Sequence, residues 1–415
     1  MLAGGCNSPV RAGAAVGGAP FIQSRGEGAY AFDQFGRRYI DYIMAYGPLL
    51  FGHAHPAFSN GLDQVAERGA LFGSTHVDEI ALAERIRSHL HSMERIRFTT
   101  TGTESVMGAI RVARAFTKRP LIVRFAGNYH GHFDLALYGA GASAAQNGQP
   151  RGGITSATIA EAIVTRYNDL DALDHAVRRR EDQVAAIIVE PIAANMGLVE
   201  PVAGFLEGLR ARADRFGALL IFDEVITWLR LGLGGAQQRV GVCPDLTTVG
   251  KILGGGYPIA AFGGRADVMA ELAPLGQTFT GGTHAGSTFS VAMAHRTLDL
   301  VESHPEWYRS MDERAKELAG GLRAILAAHL LPYNVVQMES IVDFKFRAGV
   351  TRNYEDASRA DASAYAAYYH AMRKFGILLP PSQNEVMFLS TAHSAEDTTE
   401  TLRAVDAALA ELKTL

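Results

Sequence analysis

A chain of 415 residues with 48% apolar and 20% charged side chains and a net charge of -4 has the composition of an ordinary globular protein. That charge balance offers no basic surface for nucleic acid, so a small-molecule partner is expected. Two cysteines, Cys6 and Cys243, exclude a disulfide framework. No apolar run approaches a membrane helix and no charged-then-apolar leader opens the chain, so a cytoplasmic protein is expected.

In chain order, strand-like apolar runs alternate with helical patterns, which predicts βαβ units and a mainly parallel sheet. Residues 95–98 read as a strand and run into Thr99-Thr-Thr-Gly102-Thr-Glu104, then a helix with apolar positions at Val106, Ile110 and Ala113. The strand Leu121–Phe125 ends in Gly127-Asn-Tyr129-His130-Gly-His132. The stretch 139–156 is rich in glycine and alanine, and its small side chains predict a lid. Val184–Val189 is apolar throughout, as suits a strand covered on both faces, and leads through Glu190-Pro191 to Asn195. A helix is predicted over 204–216 and strands over Leu219–Asp223, Leu246–Val249 and 259–262. Helical periodicity over 291–328 and an amphipathic helix at Ala395–Leu412 close the chain.

Lys251 closes the run Pro244-Asp-Leu-Thr-Thr-Val-Gly-Lys251 and opens the glycine-rich turn to Gly256. A lysine crowded by backbone is a candidate nucleophile, since partial burial favours its neutral amine. Asp223 ends an apolar strand upstream. A carboxylate that keeps a pyridine nitrogen protonated, with a lysine that forms a Schiff base, is what pyridoxal phosphate requires of a protein. The same two residues equally suit a loop lysine and a strand-capping aspartate. Thr101-Gly102-Thr103 lies between a strand and a helix, where first-turn amides and two hydroxyls make a phosphate cradle. Taken alone, with Glu104 in the first turn, it reads more simply as a plain N-cap. Tyr129 can stack on a planar ring, while Asn195 and Thr283 (in Phe279-Thr-Gly-Gly-Thr283) occupy further strand ends and loops. The pairs His130/His132 and His53/His55 lack carboxylates or cysteines at ligand spacing, so no metal is expected.

Taken together, these residues resemble the class III pyridoxal-phosphate-dependent aminotransferases, and within them the aminomutases that act on glutamate semialdehyde. The resemblance runs through Gly4-Gly-Cys-Asn-Ser-Pro-Val-Arg11, Tyr39-Ile-Asp-Tyr42, Gly52-His-Ala-His-Pro56, Asp223-Glu-Val-Ile-Thr227, the Lys251 motif, Pro381-Ser-Gln-Asn-Glu385 and Leu389-Ser-Thr-Ala-His393. The family carries a further segment before the first of these, so a differently started chain is expected. The resemblance implies the fold type I architecture: a mainly parallel, seven-stranded-type sheet in a large cofactor domain (49–296), and a smaller α+β domain from both termini (1–48 and 297–415). It also implies a homodimer with shared active sites. Lys251 then carries the cofactor and shuttles the proton, and Asp223 pairs with the pyridinium nitrogen. Tyr129 stacks on the ring and Val225 packs on its other face. His130 stands in the cofactor site, and Asn195 lies near the phenolic oxygen. Thr101, Gly102 and Thr103 hold the phosphate with Thr283 of the partner subunit. Turnover passes through the pyridoxamine phosphate form.

On the substrate side the resemblance places Arg11, Tyr46, Ala142 and Glu385, and there the chain departs from the aminomutase pattern. Tyr46 stands for a tryptophan, Ala142 for a serine and bulky Trp228 for a small residue. The runs 100–105 and 283–288 also differ from it. Each lost hydrogen bond to a substrate is worth about 1–3 kcal/mol, enough to redirect specificity. The favoured expectation is therefore a transaminase moving an amino group from a donor to another small carbonyl compound. The alternatives are the intramolecular aminomutase of tetrapyrrole synthesis, and a cofactor-binding protein without catalysis.

Overall fold

Six consecutive apolar residues at Val184–Val189 are all buried, because the sheet they enter is covered on both faces. The computed structural model describes residues 2–137 and 152–412. It divides into two compact units: one of residues 60–193 and 200–303, the other of residues 1–59, 194–199 and 304–415.

The unit built from both termini begins the chain. Strands β1 (Gln23–Glu27), β2 (Tyr30–Asp33) and β3 (Arg38–Asp41) form an antiparallel meander. The larger unit carries β4 (Arg95–Thr99), β5 (Leu121–Phe125), β6 (Ala162–Thr165), β7 (Val184–Val189), β8 (Leu219–Asp223), β9 (Leu246–Val249) and β10 (Ala260–Gly264). They form one seven-stranded sheet in the order β4-β10-β9-β8-β7-β5-β6. Strands β6, β5, β7, β8 and β9 run parallel, whereas β10 is antiparallel to both β9 and β4. The mainly parallel seven-stranded sheet expected from the alternation is thus present, with one reversed strand. The helix Gly102–Thr117 packs its apolar face, including Val106, Ile110 and Ala113, onto this sheet against Ile221, Leu246 and Phe262. Gly108 faces Phe262 so closely that a Cβ there would lie 2.4 Å from the ring, which lets helix and sheet approach.

In the unit built from the termini, β11 (Asn334–Met338), β12 (Ile341–Lys345) and β14 (Met387–Phe388) make a three-stranded antiparallel sheet. Strand β13 (Ile377–Leu378) adds in parallel to β3. Helices Glu306–Ala328, Ala362–Lys374 and Ala395–Leu412 close over a core of Leu318, Leu322, Phe344, Tyr368, Met372 and Val405. The helical stretch expected over 291–328 is two helices, Thr288–Ser303 and Glu306–Ala328, parted at Pro305, whose ring and missing N–H cannot continue a helix.

Candidate active site

Four consecutive parallel strands, β5, β7, β8 and β9, place the central groups. Asp223 ends β8, and its 6% exposure keeps it out of bulk water. One carboxylate oxygen, Oδ2, lies 2.8 Å from His130 Nδ1. The other, Oδ1, accepts the Val225 N–H at 3.1 Å and the Thr248 hydroxyl at 3.2 Å. Three of the roughly four acceptor positions of a carboxylate are thereby filled, and the side chain is held rigidly. Burial keeps the His130 imidazole below its ordinary range, while Asp223 pulls the other way and Arg124 adds to the lowering. A neutral His130 donates from Nδ1 to Asp223, and its Nε2 is buried with no partner among the described residues.

The loop after β5 is shaped by two left-handed glycines, Gly127 at φ +90° and Gly131 at φ +91°, which bracket Tyr129 and His130. The Tyr129 N–H donates to Glu190 Oε1 at 2.7 Å, and the Glu190 N–H donates back to Asn128 Oδ1 at 3.0 Å. This exchange ties the end of β5 to the end of β7. Gly131 lies against Thr103, where any Cβ would approach within 2.7 Å.

Thr101 is the N-cap of the helix Gly102–Thr117, and its hydroxyl accepts the Glu104 N–H at 3.2 Å. Glu104 returns the bond, accepting from the Thr100 and Thr101 amides. Cap and cradle coexist: the reciprocal box fixes the turn, and the Gly102 and Thr103 amides sit at first-turn positions where no helical carbonyl can reach them. Gly102 faces Val225, and a Cβ there would lie 3.0 Å from Val225 Cγ1. Lys251 follows β9 in a 3₁₀ turn, Lys251–Gly254, and is half-buried. Its φ of +46° is left-handed, a strained conformation for a residue with a side chain. Gly250 before it faces Val225 and Ala260. The arrangement gathers a buried carboxylate, a constrained lysine, a helix N-terminus and a half-buried tyrosine onto one end of the sheet. These are the donor, acceptor and amine groups that pyridoxal phosphate requires, so the residues fit that cofactor. Thr283 is exposed and lines an open cleft of about 1070 Å³ with Phe72, Gly73 and Arg97.

Arg11, Tyr46, Asn195 and Glu385 belong to the other unit. Asn195 is 8% exposed within the Ala194–Val199 segment. Arg11 and Tyr46 line a cavity of about 400 Å³ with Asp41, His53, Tyr369 and Pro381. Met44, Ala45 and Tyr46 are successive left-handed residues, at φ +44°, +55° and +66°. Asp41 holds that turn: Oδ1 accepts the Ile43 and Met44 amides, and Oδ2 meets His53 Nε2 at 2.7 Å. Burial and the negative charge of Glu385 push the Tyr46 phenol up, with Arg11 opposing. The Asp41–His53 pair was not visible in the sequence as a site, because His53 reads there only as half of a His-x-His doublet. Trp228, expected among the substrate-side departures, is a core residue: it is 1% exposed and its indole N–H donates to the Leu233 carbonyl at 2.9 Å. Ala142 and most of the 139–156 stretch lie outside the described residues. Among the described residues, no helix is long and apolar enough to cross a membrane, and no cluster of three metal-ligating side chains occurs.

Comparison with known proteins agrees with this chemistry. Residues 13–409 match the family described as aminotransferase class-III. A glutamate-1-semialdehyde 2,1-aminomutase of Thermomicrobium roseum is 46% identical over 99% of this chain and 95% of its own length. An omega-transaminase from Sphaerobacter thermophilus superposes with a TM-score of 0.88 at 30% identity, covering 95% of this chain and 92% of that one. A glutamate-1-semialdehyde aminomutase from Pseudomonas aeruginosa PAO1, in complex with PMP, gives a TM-score of 0.85 at 28% identity over 95% of this chain and 89% of that one. A match this nearly continuous in sequence, around an aspartate and a lysine set on neighbouring strand ends, leaves one assignment: the chain belongs to the class III aminotransferases.

Proposed function

We propose that this chain is a glutamate-1-semialdehyde 2,1-aminomutase, exchanging amino and carbonyl groups between adjacent carbons of one substrate. The observation that carries this reading is the 46% identity to such an enzyme along 99% of the chain. It favours the aminomutase over the expectation of a transaminase with a different substrate. When bound, pyridoxal phosphate supplies the electron sink that lets a C–H bond beside nitrogen ionise. In this reading Lys251 carries the cofactor and moves the proton between the two substrate carbons. Asp223, oriented by His130 and Thr248, keeps the pyridine nitrogen protonated. The Thr101–Thr103 turn holds the phosphate, with Thr283 of the partner subunit in a homodimer. Tyr129 and Val225 pack against the ring, and Asn195 serves its phenolic oxygen. Arg11 binds the substrate carboxylate, with Tyr46, Ala142 and Glu385 completing the substrate side.

A second reading, an intermolecular transaminase, is favoured by one observation: Tyr46, not the tryptophan of the aminomutase pattern, forms the wall of the Arg11 cavity. Product analysis separates the two. Purified protein given glutamate-1-semialdehyde alone is expected to form 5-amino-4-oxopentanoate with no keto acid released. Stoichiometric keto acid from an added amino donor would establish the transaminase instead. Lys251→Ala is expected to lower turnover by about 10²–10⁴-fold; full turnover in that variant would sink both readings, which share Lys251 as the catalytic amine.

A further inference from the structure

Lys345 and Asp343 stand two apart on β12, so both project from one face of the strand. Both side chains are buried, at 0% and 3% exposure, with Nζ 3.8 Å from Oδ1. Burial pushes the Lys345 ammonium down and the Asp343 carboxyl up, each opposed by the other's charge. Replacing a buried pair by apolar side chains of similar volume is often neutral or stabilising, so stability is a poor reason to retain one. What these two groups touch is more informative. Lys345 Nζ donates to the carbonyls of Gln383 and Met196, the latter at 3.4 Å. Asp343 Oδ2 accepts the Leu198 N–H at 3.1 Å. The Gly197 N–H donates to the Asn384 carbonyl at 2.8 Å, which closes the contact between the two loops. Gly197 sits at φ +82°, and a Cβ there would lie 2.5 Å from both Asp343 Oδ2 and Lys345 Nζ, so backbone is pressed onto the pair.

The two clamped loops carry residues of interest. Met196 follows Asn195, and Gln383 is two residues before Glu385, whose charge acts on both Lys345 and Tyr46. We propose that Lys345, paired with Asp343, is a positioning residue for substrate recognition: its ammonium locks the 194–199 turn to the 382–385 loop and so fixes where Asn195 and Glu385 stand. This rests on the roles given under the proposed function to Glu385, on the substrate side, and to Asn195, beside the cofactor's phenolic oxygen.

The double variant Asp343→Leu/Lys345→Met removes the charges together and keeps the volume. It is expected to fold and to retain cofactor, with KM for glutamate-1-semialdehyde raised about tenfold while kcat per cofactor-loaded site changes far less. A merely structural role would lower the loaded fraction and leave KM alone. Hydrogen exchange at the Gly197 and Leu198 amides, which needs no substrate, is expected to quicken about tenfold. A wild-type KM in the folded, loaded variant overturns the proposal, and wild-type exchange there overturns the lock itself. If the double variant does not fold, Gly197→Ala asks the same question by wedging the turn off the pair, and an unchanged KM there is equally fatal. Wild-type protein inert toward glutamate-1-semialdehyde would sink the proposed function, and the exchange measurement alone would then judge Lys345.

Discussion

His130 Nδ1 and Asp223 Oδ2 lie 2.8 Å apart in a setting where neither side chain meets bulk water. A carboxylate so placed depends on the neutral imidazole as its hydrogen-bond donor, because removing one member of a buried polar pair leaves the other unsatisfied. His130→Phe is therefore expected to weaken cofactor affinity about tenfold and to shift the visible spectrum of the loaded protein. Asp223→Asn is expected to lower turnover far more than affinity. Equal losses in affinity and turnover for Asp223→Asn would argue against its role at the ring nitrogen.

The capping box at Thr101 and Glu104 makes one turn serve helix stability and anion binding together. Thr101→Ala is expected to destabilise the protein by about 1 kcal/mol, read as a denaturant midpoint. Cofactor affinity should fall further, in a manner that added inorganic phosphate competes with. Glu104→Ala should produce the stability loss with a smaller loss of affinity, since its carboxylate bonds only Thr100 and Thr101 amides.

Arg11 and Tyr46 share one cavity. Arg11→Met is expected to raise KM for a carboxylate-bearing substrate by roughly 10–100-fold with little change in kcat, the signature of a lost charge-assisted hydrogen bond. Tyr46→Trp is expected to shift the ratio of aminomutase to donor-dependent activity toward the former. An unchanged ratio would remove Tyr46 from the specificity argument.

His393 offers a test that needs no substrate. Its Nδ1 accepts the Ser390 N–H at 3.0 Å, and its ring stacks on Tyr42 at 4.9 Å between centroids. Burial pushes its pKa down to about 4 from 6.5. Between those values the unfolded chain takes up a proton that the folded chain refuses, so stability is fully present above pH 6.5 and is lost as pH falls toward 4. The shift corresponds to on the order of 3 kcal/mol. Urea midpoints measured from pH 7 to 4.5 should fall accordingly, and His393→Asn should flatten part of that slope.

Much of the sheet was legible because its strands are short, nearly unbroken apolar runs: Leu121–Phe125, Val184–Val189 and Leu219–Asp223 stand as read. The reversed direction of β10 was not legible, since an apolar run carries no sign of its polarity. Strand β6 was missed because Ala162–Thr165 is only half-buried and too short to show alternation. Asp223 and Lys251 stood out because a charge at the end of an apolar run is conspicuous. The pairs Asp41–His53 and Asp343–Lys345 matter through what they bond, and the carbonyls of Met196 and Gln383 leave no trace in a string of side chains.

The parallel pairing of Ile377 with Ile40 joins β13 to β3 across most of the chain. During synthesis the meander β1–β3 emerges first, and its open edge waits until nearly the last residues leave the ribosome. All seven strands of the larger sheet are available well before that moment. Long-range closure of this kind is slow and leaves a strand edge unpaired in the interval. A nascent chain stalled near residue 300 would thus carry a complete seven-stranded sheet beside an unfinished one, and it is the early meander that a chaperone would have to shield.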